Sequence, residues 1–157
     1  IDYTVIRYHN VYGPRMGMNH VIPDYVVRTF SNKFELFGYN NTRWFLYVTD
    51  AVADTIALSR HAASNKEIYN IGSEHELTML DLAHQINDIL KVDSKIECSD
   101  APEGSVLRRC PDLTKINTLL GTRHRTSLID GLSDTINYYR DTTYAIWCRA
   151  PCALILS

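Results

Sequence analysis

The chain has 157 residues, of which 45% are hydrophobic and 22% charged, and this globular composition excludes a disordered or collagen-like protein. Its formal net charge of -2 provides no overall positive field to recruit nucleic acid or an anionic membrane, so we expect neither partner. No run reaches the roughly 18 apolar residues that a membrane-spanning helix needs.

The first residues form an apolar run without a methionine, and we expect the chain to be part of a longer protein. Residues 3–9 are rich in β-branched and aromatic side chains and predict a strand, and residues 10–14 have the composition of a loop. A helix is predicted after Pro23 and is closed by residues 31–33. Helical spacing predicts an inward face of Val26, Val27 and Phe30.

Two short strands are predicted next, at residues 34–37 and 44–48, separated by the polar turn 38–42. Either Thr49 or Asp50 can cap the helix that follows, because both side chains accept hydrogen bonds from free backbone amides. The apolar face of this helix is predicted to contain Val52, Ile56 and Ala57.

A buried strand is predicted at residues 67–72 and a short one at residues 95–97. Between them, Thr78 and Asp81 form a capping-box pattern with aspartate in place of the usual glutamate. The stripe predicted for the capped helix comprises Leu82, Ala83, Ile86, Ile89 and Leu90.

The last two predicted helices are a short one over residues 114–120, ended by Gly121, and one opened by Ser127 and Asp130. The inward side chains of the second of these helices are predicted to be Leu128, Leu132, Ile136 and Tyr139. Strands alternate with helices along the chain, which predicts the α/β class.

Charge is uneven in the second half of the chain. Residues 74–103 carry eight acidic and two basic side chains, and residues 104–128 carry five basic and one acidic. A solvent-exposed acidic face that complements a solvent-exposed basic face would produce this pattern. A loop with Arg108 and Arg109 could equally supply a bidentate phosphate ligand, because guanidinium geometry suits phosphate oxygens.

The cysteines are Cys98, Cys110, Cys148 and Cys152. They are too few for a disulfide scaffold and fit a reducing compartment, so we expect a cytoplasmic protein. Cys148 and Cys152 lack the spacing of a redox motif and a second ligand pair, and the histidines show no H-E-x-x-H pattern. No metal site is predicted.

Four runs in this order resemble the extended short-chain dehydrogenase/reductases that modify nucleotide sugars, a group of epimerases, 4,6-dehydratases and decarboxylases. They are R-Y-H-N-V-Y-G-P-R-M at residues 7–16, G-Y-N-N-T-R-W-F-L-Y-V-T-D at 38–50, Y-N-I-G at 69–72 and R-R-C-P-D-L-T-K at 108–115. The resemblance implies the last strands of a Rossmann-type parallel sheet plus the smaller C-terminal substrate-binding lobe.

In that family the lobe binds the diphosphate of a nucleotide-diphosphate sugar. Asn10 resembles the asparagine that contacts the diphosphate, and Arg43 and Arg109 resemble the two phosphate-side arginines, with Arg108 as the register alternative. Tyr8 matches a position whose backbone lies near the nicotinamide of the cofactor. Segments that surround the base contain Val21 and Phe37.

The family uses NAD or NADP, yet the seven glycines contain no G-x-x-G or G-x-G spacing, and no tyrosine is followed four residues later by lysine. The dinucleotide fingerprint and the Tyr-x-x-x-Lys acid/base pair are therefore absent, and we expect this chain to be inactive alone. We also expect apolar surface suited to a further half of the protein. The resemblance implies a homodimer for the full-length family.

The resemblance supports a nucleotide-sugar-binding part of an NAD(P)-dependent epimerase/dehydratase. A UDP-glucuronate decarboxylase-type member is the first alternative, and there Arg109 would be a proton donor. The second is a non-catalytic relative that acts as a binding or assembly subunit. We assign residues 1–140 to the family. Residues 141–157 form a tail of uncertain origin, which a frameshift, an alternative exon or readthrough would produce, as would a genuine packing or assembly segment.

Overall fold

The computed structural model describes residues 1–30 and 34–147, with side chains up to residue 140. Its strands are β1 (Val5–Tyr8), β2 (Val11–Tyr12), β3 (Phe34–Phe37), β4 (Thr42–Trp44), β5 (Leu46–Tyr47), β6 (Ile68–Ile71), β7 (Glu76–Thr78), β8 (Ile96–Ser99) and β9 (Arg108–Arg109). Its α-helices are α1 (Val21–Thr29), α2 (Val48–Arg60), α3 (Met79–Leu90), α4 (Thr114–Leu120) and α5 (Leu128–Trp147). The predicted α/β class is confirmed.

The strands form small sheets with mostly parallel pairing. β1 pairs with β6, β2 with β5 and β3 with β8, all in parallel, as crossover connections through helices allow. In the remaining sheet β4 lies between β7, which is antiparallel to it, and β9, which is parallel. The parallel β1–β6 pair and the three-stranded β7-β4-β9 sheet are therefore separate sheets.

Two apolar clusters stabilise this arrangement. The larger one lies between α1, α3 and α5, and its fully buried members include Ile22, Val26, Leu82, Ile86, Leu132 and Ile136. The smaller one joins β6 to α2 and α4 and includes Leu46, Leu58, Ile71 and Ile116. Burial of such side chains is the main favourable contribution to folding.

The predictions for α3 and α5 are confirmed. The Thr78 hydroxyl oxygen accepts a hydrogen bond from the Asp81 amide at 3.0 Å, and Ser127 does the same for Asp130 at 3.1 Å. The inward stripes of both helices are buried or half-buried. The α5 helix continues past residue 140, so the predicted boundary falls inside a helix.

Two predicted faces are wrong. On α2, Val52 and Ile56 are 51% and 44% exposed, and the helix instead buries Ala51, Asp54 and Leu58. Phe30 lies just after α1 and is exposed, because that helix turns Ile22, Tyr25, Val26 and Thr29 toward the core. The predicted closing turn at residues 31–33 lies outside the described residues, as do Cys148 and Cys152.

Three local predictions also need correction. Residues 44–48 are not one strand, because β4 and β5 pair with different partners and Phe45 belongs to neither strand. The α2 helix begins at Val48, so neither Thr49 nor Asp50 is its cap; the Asp50 carboxylate accepts hydrogen bonds from Thr126 instead. Residues 11–12 and 108–109, predicted as loops, form the short strands β2 and β9.

Candidate functional site

The pairing of β4 with β9 brings two of the predicted arginines together. Arg43 is directly opposite Arg109, and Thr42 is opposite Arg108. Because successive side chains of a strand point to opposite faces, Arg43 and Arg109 share one face of this sheet and Arg108 lies on the other. Like charges placed opposite each other are unfavourable unless an anion compensates them.

Arg43 is held by backbone carbonyls. Its guanidinium donates to the carbonyl oxygens of Thr42 at 2.7 Å, Val106 at 2.8 Å and Leu107 at 3.3 Å. Burial and the neighbouring charge of Arg109 lower the pKa of Arg43. The side chain is thus fixed in position, and its hydrogen-bond acceptors among the described residues are neutral carbonyl groups.

Arg109 and Arg108 have different surroundings. Arg108 is bound to the carboxylate of Glu76 through Nε at 2.9 Å and Nη2 at 3.2 Å, and it lies over the ring of Trp44. The side chain of Arg109 is exposed and forms no hydrogen bond or ion pair with another described residue. Of the two adjacent arginines, Arg108 is paired with a carboxylate, whereas the whole guanidinium of Arg109 is available to a ligand.

Asn10 follows β1 in the left-handed conformation, with φ of 44°. Its carbonyl oxygen accepts a hydrogen bond from the Leu46 amide at 3.2 Å, which ties it to the chain three residues beyond Arg43. The side-chain amide of Asn10 has no hydrogen-bond partner among the described residues. Asparagine tolerates the left-handed conformation better than most residues, so Asn10 adopts it without large backbone strain.

The remaining predicted residues lie on other elements of the fold. Phe37 ends β3 and is 55% exposed, and Val21 begins α1 half-buried against the larger apolar cluster. Tyr8 is on β1, and its hydroxyl is 2.8 Å from the hydroxyl of Thr55 on α2. Tyr8 therefore lies on the β1–β6 side of the molecule, apart from the β4–β9 arginines.

The segment that carries Arg109 is anchored on β6. The Asn70 side chain donates to the carbonyl of Asp112 at 3.1 Å, and the Asp112 carboxylate accepts from the Thr114 amide at the start of α4. These hydrogen bonds to Thr114 lower the pKa of Asp112. Gly72 lies against Pro111. The Y-N-I-G run and the R-R-C-P-D run therefore contact each other.

We expect Gly72→Ala to weaken this contact. An added Cβ would lie 2.7 Å from Cγ of Pro111, a rigid ring, and should lower the free energy of unfolding by about 1–3 kcal/mol. It should also shift Arg109, two residues before Pro111. Gly17→Ala is the control, because its Cβ would come no closer than 3.4 Å to His20. Equal unfolding midpoints in urea for both variants would contradict the expected effect.

Sequence reasoning missed the groups that hold the arginines. Val106 and Leu107 act through backbone carbonyls, which every residue type carries, so no side-chain pattern could reveal them. Glu76 was identified only as part of an acidic stretch, and its pairing with Arg108 depends on the order β7-β4-β9. The described residues contain no cluster of three metal-ligating side chains, and none of their helices is long and apolar enough to cross a membrane.

Comparison with known proteins identifies the family. Residues 1–72 match the model of the NAD dependent epimerase/dehydratase family. The chain belongs to this family. A curated relative of this family member is the UDP-N-acetyl-alpha-D-glucosaminuronate decarboxylase of Bacillus cytotoxicus, which is 35% identical over 150 residues, covering 88% of this chain and 46% of the relative.

Solved structures of other family members have the same fold. The UDP-glucose 4-epimerase of Thermotoga maritima, solved with UDP-glucose, has a TM-score of 0.80 and 30% identity over 91% of this chain and 47% of its own. A dTDP-glucose 4,6-dehydratase of Streptomyces venezuelae, solved with NAD, has a TM-score of 0.77 and 31% identity over 90% and 45%. This family member spans about half the length of these relatives, and its parallel strands correspond to part of their Rossmann-like fold.

Proposed function

We propose that this chain binds the diphosphate of a nucleotide-diphosphate sugar and so forms the substrate-binding part of an NAD-dependent epimerase/dehydratase. The observation that carries the proposal is the pair Arg43 and Arg109 on one face of the β4–β9 sheet, with Arg109 lacking any partner among the described residues. A diphosphate between them would remove their mutual repulsion and accept charge-assisted hydrogen bonds.

The other predicted residues suit the same ligand. Asn10 would add an uncharged amide donor to the diphosphate, and the exposed ring of Phe37 would offer a face for stacking against the base. Val21 would complete the apolar wall beside that base. Together these residues would bind the nucleotide and set the orientation of the sugar.

The described residues do not fit a complete NAD site. β1 leads into Asn10 and β2, whereas a dinucleotide site needs a glycine-rich turn from a strand into a helix N-terminus. Tyr8, through its backbone, is the one predicted contact to the cofactor. We therefore assign this chain to substrate binding and derive no hydride or proton transfer from its residues.

A UDP-glucuronate decarboxylase-type reaction is the second candidate. It is favoured by the decarboxylases among the curated relatives, including UDP-glucuronic acid decarboxylase 1 of Xenopus tropicalis, 29% identical over 144 residues. Under this reaction Arg109 would lie beside the sugar as a proton donor. We also propose a homodimer for the complete enzyme and a cytoplasmic location, which the exposed free thiols of Cys98 and Cys110 support.

We expect the chain to bind UDP-glucose or UDP-glucuronate at millimolar concentration, measured by calorimetry or by changes in NMR spectra. Arg43→Ala and Arg109→Ala should each weaken binding about 10–100-fold, because each removes charge-assisted hydrogen bonds worth about 1.5–3 kcal/mol. Arg108→Ala is the matched control, since it removes the same charge from the other sheet face. Failure to bind either nucleotide sugar, or equal losses in all three variants, would refute the proposal.

A further inference from the structure

A tight turn over residues 102–105 lies just before β9. The Ser105 amide donates to the Pro102 carbonyl at 3.1 Å and closes the turn. Its third residue, Gly104, has φ of 82°, whereas the preceding Glu103 has a negative φ. These are the signs of a type II turn, which favours glycine or asparagine at the third position. Gly104 is needed for its backbone angle and not for space, because an added Cβ would meet no atom within 4 Å.

The two residues after this turn carry carbonyl groups that hold Arg43. The Val106 carbonyl accepts from Nη2 of Arg43 at 2.8 Å, and the Leu107 carbonyl accepts from Nη1 at 3.3 Å. The Leu107 carbonyl also accepts from the Thr42 amide at 2.8 Å, within the pairing of β4 with β9. The conformation of the turn therefore determines where both carbonyls meet the guanidinium.

These contacts leave part of the Arg43 guanidinium open. An arginine has five N–H donors, and the carbonyls of Thr42, Val106 and Leu107 use two on Nη1 and one on Nη2. The Nε–H and the second N–H of Nη2 have no acceptor among the described residues. Adjacent nitrogens of a guanidinium can bind two oxygens of a phosphate group together. The carbonyls thus hold the side chain without using all of its phosphate-binding donors.

We propose that Gly104 is a positioning residue for nucleotide-sugar binding, because its type II turn holds Arg43, through two carbonyls, in place for the diphosphate. The inference rests on the proposed function, in which Arg43 binds that diphosphate. An arginine that is already held loses less conformational freedom when the ligand binds. Gly104 would therefore increase affinity without touching the ligand.

Competition between the carbonyls and the diphosphate would give the opposite result. If the ligand had to displace Val106 and Leu107 from Arg43, opening the turn would free the guanidinium and strengthen binding. The donor count favours positioning, because the two N–H groups that remain open belong to adjacent nitrogens. The sign of the change in affinity distinguishes the two effects.

The test is binding of UDP-glucose to Gly104→Ala, measured by calorimetry beside the unchanged chain. Alanine disfavours the left-handed region, so a smaller fraction of molecules would have the turn closed, and we expect binding to weaken about 3–10-fold. Gly104→Asn should recover most of the affinity, because asparagine is accepted at the third position of a type II turn.

Gly121→Ala is the matched control. Gly121 follows α4 with φ of 72°, and an added Cβ there would also meet no atom within 4 Å. The backbone strain that alanine causes should thus be similar at both positions, with similar losses in the urea midpoint. Gly121→Ala should bind UDP-glucose like the unchanged chain, because its carbonyl is bound by Arg123 and not by Arg43.

Two further measurements show whether Gly104 acts through Arg43. In the Arg43→Ala background, Gly104→Ala should change the dissociation constant less than about twofold, because the group that it positions is gone. In the free chain, nitrogen relaxation in NMR should show a rigid Arg43 Nε–H group that becomes mobile in Gly104→Ala and stays rigid in Gly121→Ala.

Three results would overturn the inference: unchanged or tighter binding in Gly104→Ala, an equal loss of binding in Gly121→Ala, or additive effects in the Arg43→Ala background. If Arg43→Ala weakens binding and Gly104→Ala does not, the inference fails and the proposed function stands. If Arg43→Ala leaves binding unchanged, the proposed function fails and the inference fails with it.

Discussion

Replacing Asp54 with alanine should lower the free energy of unfolding by about 3–5 kcal/mol, measured by urea denaturation. The Asp54 side chain is 1% exposed on α2, and its carboxylate lies 2.9 Å from Nε of Arg123 and 2.7 Å from Nη2 of Arg125. Burial lowers the pKa of Arg123, and the charge of Asp54 opposes that shift. Without the carboxylate, two poorly hydrated guanidinium groups would face each other.

The matched control is Glu76→Ala, which removes a carboxylate from the exposed pair with Arg108 and should have a much smaller effect. Asp54→Asn should be intermediate, because the amide keeps an acceptor of the same shape but loses the charge. A loss in Asp54→Ala no greater than in Glu76→Ala would show that the buried cluster does not stabilise the fold.

This cluster also explains why the predicted face of α2 is wrong. Helical spacing identified Val52 and Ile56 as inward because both are apolar, and it had no reason to place an aspartate in the core. Asp54 is tolerated there because Arg123 and Arg125 approach it from about seventy residues later in the chain. Local periodicity carries no information about such a distant charge pair.

In contrast, α3 and α5 were predicted correctly because their signals are local. Thr78 with Asp81, and Ser127 with Asp130, satisfy free amides within the same turn. The inward stripe then follows from the 3.6-residue period alone. Where the cap and the apolar stripe predict the same helix, its start and its buried face depend little on contacts with distant residues.

The candidate site was predicted only in part. The R-R-C-P-D run identified Arg108 and Arg109 together, but the sequence left their register open. The alternation of faces on β9 separates them, because Thr42 and Glu76 accompany Arg108 on one side and Arg43 accompanies Arg109 on the other. Strand pairing between distant segments, which no run of residues encodes, therefore supplies the geometry of the site.

Replacing Gly131 on α5 should also lower the free energy of unfolding strongly. In helix α5 an added Cβ would lie 2.9 Å from Cδ2 of Tyr47 and 3.0 Å from Cζ of Tyr12, and it would also meet the Tyr12 hydroxyl. Both rings are buried and belong to the paired strands β2 and β5, so neither can move freely. We expect Gly131→Ala to lower the free energy of unfolding by about 2 kcal/mol.

This is the net loss. Helix propensity, which favours alanine over glycine by about 1 kcal/mol, offsets part of the steric cost. Comparing Asn137→Ala with Asn137→Gly, at an exposed position of α5, measures the difference in propensity between alanine and glycine without a steric effect. Tyr12→Phe removes the hydroxyl that the new methyl group would meet, along with a long hydrogen bond of 3.4 Å to the Leu128 carbonyl. The Gly131→Ala/Tyr12→Phe double variant should therefore be more stable than the sum of the single effects, by about 1 kcal/mol in a urea-denaturation cycle. Strict additivity would mean that the tyrosine does not limit the approach of α5 to β2, and that the strands and α5 pack less tightly than the distances indicate.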